Sequence, residues 1–202
     1  MDIIYRQTQL YKFLRYCNGS DLKRIVLDCG AGGDCPPLAL FNEFNYETYG
    51  IEISDKQLNK AYEFQKRNGV NLNILKGDMR NLTFKNESIS FIYSYNTIFH
   101  MGKNDISKAI EEIKRVLKPG GLCFINFVSI NDYRCGLGKR IGKDEYIEIE
   151  DGEKVIHSYH TSKESEKYFK DMSIVFKEER ILERIYNGDK IKQGYIDYIL
   201  EK

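Results

Sequence analysis

Apolar residues recur along the chain in two alternating rhythms. The segment "RIVLDCG" (24–30) is a short run of Ile, Val and Leu between polar residues, the pattern of a strand buried on both faces. "YETYGIEI" (46–53), "LNILKGD" (72–78), "SISFIYSYN" (88–96) and "GLCFINFV" (121–128) predict four more strands. Helical spacing fills the gaps. An amphipathic opening helix carries Ile3, Ile4, Leu10, Phe13 and Leu14, and a second helix is predicted over 38–44. A third starts at Ser54, an N-cap with Gln57 at capping-box spacing, and stops at Asn68-Gly69. In "NDISKAIEEIKRVLKP", Ile106, Ile110, Ile113 and Leu117 fall on one face. Strand and helix in alternation predict a parallel sheet with helices on its faces. Near the end, "SIVFKEERILERIY" and "IKQGYIDYIL" flank Asn187-Gly188, a strong hairpin signal, so these two strands pair antiparallel. Between the fifth strand and the helical "SKESEKYFKDM", residues 129–161 form a long connection rich in Gly and Tyr. A connection that long is expected to be a lid or binding loop.

Composition narrows the class. A chain of 202 residues with 42% hydrophobic content predicts one domain over 1–202, with a helical extension over 1–23 and the insertion at 129–161. Thirty-one basic against thirty acidic residues leave a net charge of +1, which argues against a nucleic-acid or anionic-membrane partner. A small-molecule partner is expected, with the chain itself a monomer or homodimer. The five cysteines form no CxxC pair, so neither a disulfide framework nor a zinc finger is expected, no metal is called for, and the thiols suit the reducing cytoplasm. The first seventeen residues contain no apolar run suited to a signal peptide or membrane span.

The candidate chemistry begins at "VLDCGAGGDCPPL" (26–38). A strand ending in Asp28 that breaks into Gly30-Ala31-Gly32-Gly33 before a helix has the form of the first βα turn of a doubly wound sheet, where bare backbone can approach a ligand. A tight turn needing glycine for positive φ accounts for the same residues. Glu52 closes the second strand, where a carboxylate can accept both hydroxyls of a ribose. Asp78 closes the third and can accept from an adenine amino group, with Ile53 and Met79 as apolar walls. Either acid alone is more often a solvated loop carboxylate than a ligand. Three acids ending three consecutive predicted strands point to a nucleoside site.

Taken in order, "VLDCGAGGD", "YGIEIS", "ILKGDMRNLTF" and "EEIKRVLKPGGLCFINF" resemble the motifs of the class I S-adenosylmethionine-dependent methyltransferases over residues 24–128. The resemblance implies a Rossmann-like α/β fold: a doubly wound, seven-stranded, mainly parallel sheet with an antiparallel last strand. It implies S-adenosyl-L-methionine as cofactor, with Asp28, Gly30, Ala31, Gly32, Glu52, Ile53, Asp78, Met79 and Asn96 as its binding residues. Gly30 and Gly32 would admit the methionine part, Glu52 would hold the ribose, Asp78 and Met79 would bracket the adenine, and Asn96 would lie near the mouth. The chain departs from the family pattern at Asp34, where a third glycine is common, and at Ile89-Ser90, where Phe-Asp is common.

The implied reaction is methylation of a small molecule by in-line transfer, which demands mainly alignment and desolvation. No nucleophile signature is required. A general base matters only for an acceptor protonated at neutral pH, and the candidates are His100, His157 and His160. The segment 129–161 resembles the substrate-side insertion of small bacterial methyltransferases, with Tyr133, Tyr146 and Tyr159 as expected pocket walls. A nicotinamide-dependent oxidoreductase fits less well, because Cys35 breaks GxGxxG and the Tyr62/Lys66 pair lies on the helix after the second strand. A base-modifying nucleic-acid enzyme would carry Asn-Pro-Pro-aromatic where this chain has Asn96-Thr97-Ile98-Phe99. A non-catalytic S-adenosylmethionine-binding module stays open, since methyl transfer has no obligatory catalytic residue.

Overall fold

In the computed structural model, which describes residues 8–150 and 152–202, five parallel strands run in the order β3-β2-β1-β4-β5. They are β1 (Ile25–Cys29), β2 (Glu47–Glu52), β3 (Ile74–Lys76), β4 (Ile89–Ser94) and β5 (Leu117–Ser129). All six residues of β4 are buried, as continuous apolar runs require when helices cover both faces. On one face α1 (Thr8–Asn18), α2 (Leu38–Glu43) and α3 (Asp55–Asn68) pack Phe13, Phe41 and Phe64 against Phe91, Tyr93 and Phe124. On the other, α4 (Lys103–Val116) sets Ile106, Ile110 and Ile113 against Leu27, Ile92 and Ile125. The Ile3 and Ile4 part of the opening helix lies outside the described residues.

Local signals explain the element ends. Ser54 caps α3 by accepting from the Gln57 backbone N–H at 3.4 Å, and Gly69 ends it in the left-handed conformation at φ 65°. Asn187 and Gly188, at φ 50° and 88°, make the tight turn between β9 (Ser173–Tyr186) and β10 (Asp189–Glu201). β10 runs antiparallel between β5 and β9, completing a seven-strand set in the order β3-β2-β1-β4-β5-β10-β9. The "SKESEKYFKDM" segment is helical only through α5 (Ser162–Ser165) and a following 3₁₀ turn to Phe169. No helix among the described residues is long and apolar enough to cross a membrane.

The connection 129–161 is more ordered than its glycine content predicts. It folds as an antiparallel meander of β6 (Lys139–Gly142), β7 (Glu145–Glu150) and β8 (Glu153–His160). β8 joins β5 through the Val128/Tyr159 and Ser129/His160 pairs, bringing the sheet to ten strands. Its base is pinned to the core. The Ser158 hydroxyl donates to the Met101 carbonyl at 2.7 Å, Glu145 accepts from the Lys103 N–H at 2.7 Å, and Asp132 accepts from the Gly194 N–H at 3.0 Å.

Candidate functional site

A cavity of about 650 Å³ opens at the carboxyl ends of β1 to β4, beneath the tip of the β7–β8 hairpin. That is where open α/β sheets take ligands, and the volume suits a small organic molecule. One wall is the glycine turn. The N–H groups of Gly30 and Ala31 both donate to the Ile51 carbonyl, at 3.0 and 2.9 Å, drawing the turn against the end of β2. There the nearly buried Glu52 carboxylate accepts from the Ser54 N–H at 2.7 Å. A Cβ on Gly32 would stand 2.5 Å from Glu52 Oε2, so the acid sits directly on bare backbone.

The opposite end of the cavity is charged. Asp78 is gripped by Arg80, whose Nη2 donates to Oδ2 at 2.6 Å and whose backbone N–H donates to Oδ1 at 2.9 Å. Arg80 Nη1 reaches Asp105 at 2.6 Å on the first turn of α4. The hydrogen bonds from Arg80 hold the Asp78 carboxyl below its usual range. Of the expected binding residues, Gly30, Gly32, Glu52, Ile53, Asp78, Met79 and Asn96 line this one cavity. Asn96 is fixed by a reciprocal pair with the buried Asn126, both bonds at 2.7 Å.

Asp28 and Ala31 depart from expectation and stay behind the wall. Alternation along β1 turns Asp28 away from the cavity to lie fully buried beside Tyr93. Burial, with a smaller push from Glu52, drives its carboxyl well above the usual range. Ala31 is buried against Gly50, where an added Cβ would come within 2.5 Å of the Ala31 methyl.

The family model described as "Methyltransferase domain" matches residues 27–125, from β1 into β5. The chain carries a methyltransferase domain over these residues. Sterol 24-C-methyltransferase of Aspergillus fumigatus is 30% identical over 103 residues, covering 50% of this chain and 26% of that protein. The chain thus spans about a quarter of the length of this curated relative. Two solved structures share the fold across nearly the whole length. A Pyrococcus horikoshii protein has a TM-score of 0.72 at 19% identity, covering 100% of this chain and 93% of its own. A Methanosarcina mazei protein described as a SAM-dependent methyltransferase has a TM-score of 0.74 at 22% identity, covering 93% and 96%.

Within the methyltransferase domain and its insertion, the three histidines occupy different places. His100 follows β4 and opens onto the cavity. Desolvation on its protein side, then the neighbouring His157, push its pKa down to about 4, so the ring facing the cavity is a neutral imidazole. His157 is buried behind it, edge to face at 4.8 Å, with Nε2 3.1 Å from Glu150. His160 is fully buried outside the cavity, 4.7 Å from the Phe127 ring and 5.8 Å from that of Tyr168. The expected tyrosine walls are displaced as well. Tyr159 is buried and packs with Phe99, Val128 and Tyr146, while Tyr133 faces solvent. The wall from the insertion is instead formed by Glu150, Lys154, Val155 and Ile156.

The position of His160 predicts a pH dependence of stability. Burial, with a smaller contribution from Lys103, lowers its pKa from 6.5 to about 4, so unfolding takes up a proton between those values. The stabilisation from the neutral ring is complete above pH 6.5 and lost as pH falls toward 4. His160→Phe is expected to narrow the difference in unfolding free energy between pH 7 and pH 5 by about 2 kcal/mol, read from urea titrations. An unchanged difference would show that His160 does not titrate in this range.

Proposed function

We propose that the chain is an S-adenosylmethionine-dependent methyltransferase that holds its donor in the 650 Å³ cavity and methylates a small molecule. One observation carries this reading. Glu52, nearly buried and fixed by the Ser54 N–H, stands on the bare Gly32 backbone in the same cavity as Asp78. A nucleoside with a bulky 5′ substituent needs such a wall: an acceptor for the ribose hydroxyls, a second for the base, and side-chain-free backbone between them.

In this assignment Glu52 holds the ribose, Asp78 with Met79 and Ile53 brackets the adenine, and Gly30, Gly32 and Asn96 border the methionine part. When bound, the sulfonium supplies an already activated methyl group. The domain's own work is alignment and exclusion of water. Glu150, Lys154, Val155 and Ile156 cover the acceptor side, and neutral His100 is placed to receive a proton from an acceptor that carries one. The near-neutral net charge supports a small acceptor rather than a nucleic acid, and the five cysteines, with no CxxC pair and three of them buried, support a reducing cytoplasmic setting.

Titration calorimetry tests the reading. S-adenosylhomocysteine is expected to bind and NAD to give no heat, and the reverse pattern would overturn it. Formation of S-adenosylhomocysteine from the donor in the presence of a metabolite pool separates a catalyst from a binding module.

A further inference from the structure

Arg80 does more than neutralise its neighbour. Its Nε lies 3.0 Å from both oxygens of Asp78, Nη2 donates to Oδ2 at 2.6 Å, and its backbone N–H donates to Oδ1 at 2.9 Å. The guanidinium is tied on its other side as well: Nη1 donates to Asp105 at 2.6 Å, and Asp105 accepts in turn from Lys108 at 2.9 Å on α4. Asp78, Arg80 and Asp105 all face the cavity. A carboxylate offers about four lone-pair directions, and Arg80 takes most of those at Asp78 while locking its rotamer through a planar fork.

We propose that Arg80 is a positioning residue that sets the nucleobase preference of the site, by holding Asp78 so that its remaining acceptor direction meets a 6-amino purine and opposes a 6-oxo purine. This rests on the donor reading given above. With Asp78 fixed, an exocyclic amino group donates to it, whereas an exocyclic carbonyl faces an anion. Three of the five side-chain N–H groups of Arg80 are already turned toward Asp78 and Asp105 rather than toward such a carbonyl. Freed of the fork, Asp78 can rotate and accept from the N1–H that a 6-oxo purine carries, and the preference is lost.

The test compares S-adenosylhomocysteine with S-inosylhomocysteine by calorimetry on the native protein, Arg80→Ala and Arg80→Lys. The native protein is expected to prefer the adenosyl compound by about 30-fold or more, the scale reached when a buried polar group is left facing the wrong partner. Both variants are expected to bring the ratio to about threefold or less, lysine included, because it keeps the charge but offers no planar fork. A thermal melt checks folding. Arg80→Lys keeps a cation between Asp78 and Asp105 and decides the matter if the alanine variant does not fold. A native protein without the preference, or a folded variant that retains the native ratio, overturns the proposal. Binding of neither compound by the native protein would instead overturn the donor reading.

Discussion

Replacing Glu52 with alanine is expected to weaken binding of S-adenosylhomocysteine by about 2–4 kcal/mol, roughly 30- to 1000-fold, while leaving the fold intact. The size follows from the nature of the contact. Glu52 is a charged acceptor in a nearly closed setting, and two ribose hydroxyls left facing an apolar methyl would lose charged hydrogen bonds without regaining water. The fold is expected to survive the loss of the Glu52 bond to the Ser54 N–H, because Ser54 still accepts from the Gln57 N–H, and Leu58, Ala61 and Phe64 still anchor the helix. Glu52→Gln keeps the shape and one acceptor oxygen but removes the charge, and should fall between the two. Calorimetry on both variants checks this. A folded Glu52→Ala protein with affinity within threefold of native would show that the acid only braces the turn.

Alanine substitutions at three glycines of one turn are expected to have three different outcomes, with Gly30→Ala the most damaging. Gly30 is both strained and crowded: its φ is +117°, and an added Cβ would lie 2.4 Å from Thr97 Oγ1 and Cγ2. The backbone term is about 1–3 kcal/mol and the overlap adds about 1–3 more, so unfolding at physiological temperature is a realistic result for this variant. Gly33 separates the first cost, since its φ is +98° but nothing lies within 4 Å of the added carbon. Gly32 separates the second. Its backbone lies outside the left-handed region, yet the carbon would stand 2.5 Å from Glu52 Oε2 and 2.6 Å from Gln57 Cβ. Gly33→Ala should therefore lower the melting temperature and leave S-adenosylhomocysteine affinity close to native. Gly32→Ala should mainly weaken binding by displacing Glu52. Equal melting temperatures for Gly30→Ala and Gly33→Ala would mean that Thr97 yields at no cost and that the crowding argument fails.

Much of this architecture is legible in the order of residues because it is written in local codes. The apolar run of β1, the Ser54 cap, the Gly69 stop and the Asn187-Gly188 turn each follow from a few neighbouring side chains and the conformations open to them. Glu52 and Asp78 could be placed because the ends of parallel strands converge. What was hidden depends on direction rather than spacing. Whether Asp28 faces the cavity is decided by the pleat of β1, and the run "IVLDC" is apolar on both sides of it, so no amphipathic pattern distinguishes the faces. Tyr159 misleads for a similar reason: an aromatic in a glycine-rich stretch looks available, but its pairing beside Val128 buries it. The meander itself had a signal, the alternation in "EYIEIEDGEKVIHSYH" around Asp151-Gly152, which outweighs the glycine content. The contact from Arg80 to Asp105 joins residues 25 positions apart, and no short pattern announces it.

The placement of β10 between β5 and β9 has a consequence for how the protein is made. As the chain leaves the ribosome, β1 to β5 are complete long before residues 189–201 exist, and β5, whose stretch from Gly121 to Ser129 is almost wholly buried in the finished molecule, waits with the edge away from β4 unpaired except where β8 meets Val128 and Ser129. A long apolar strand with an open edge invites pairing with other nascent chains. The exposed charges of β9, such as Glu179 and Glu183, arrive only with the hairpin that closes this edge. The β9–β10 hairpin is therefore also a device of biosynthesis: until it docks, the nascent protein is sticky, and demand on holding chaperones should end with its arrival.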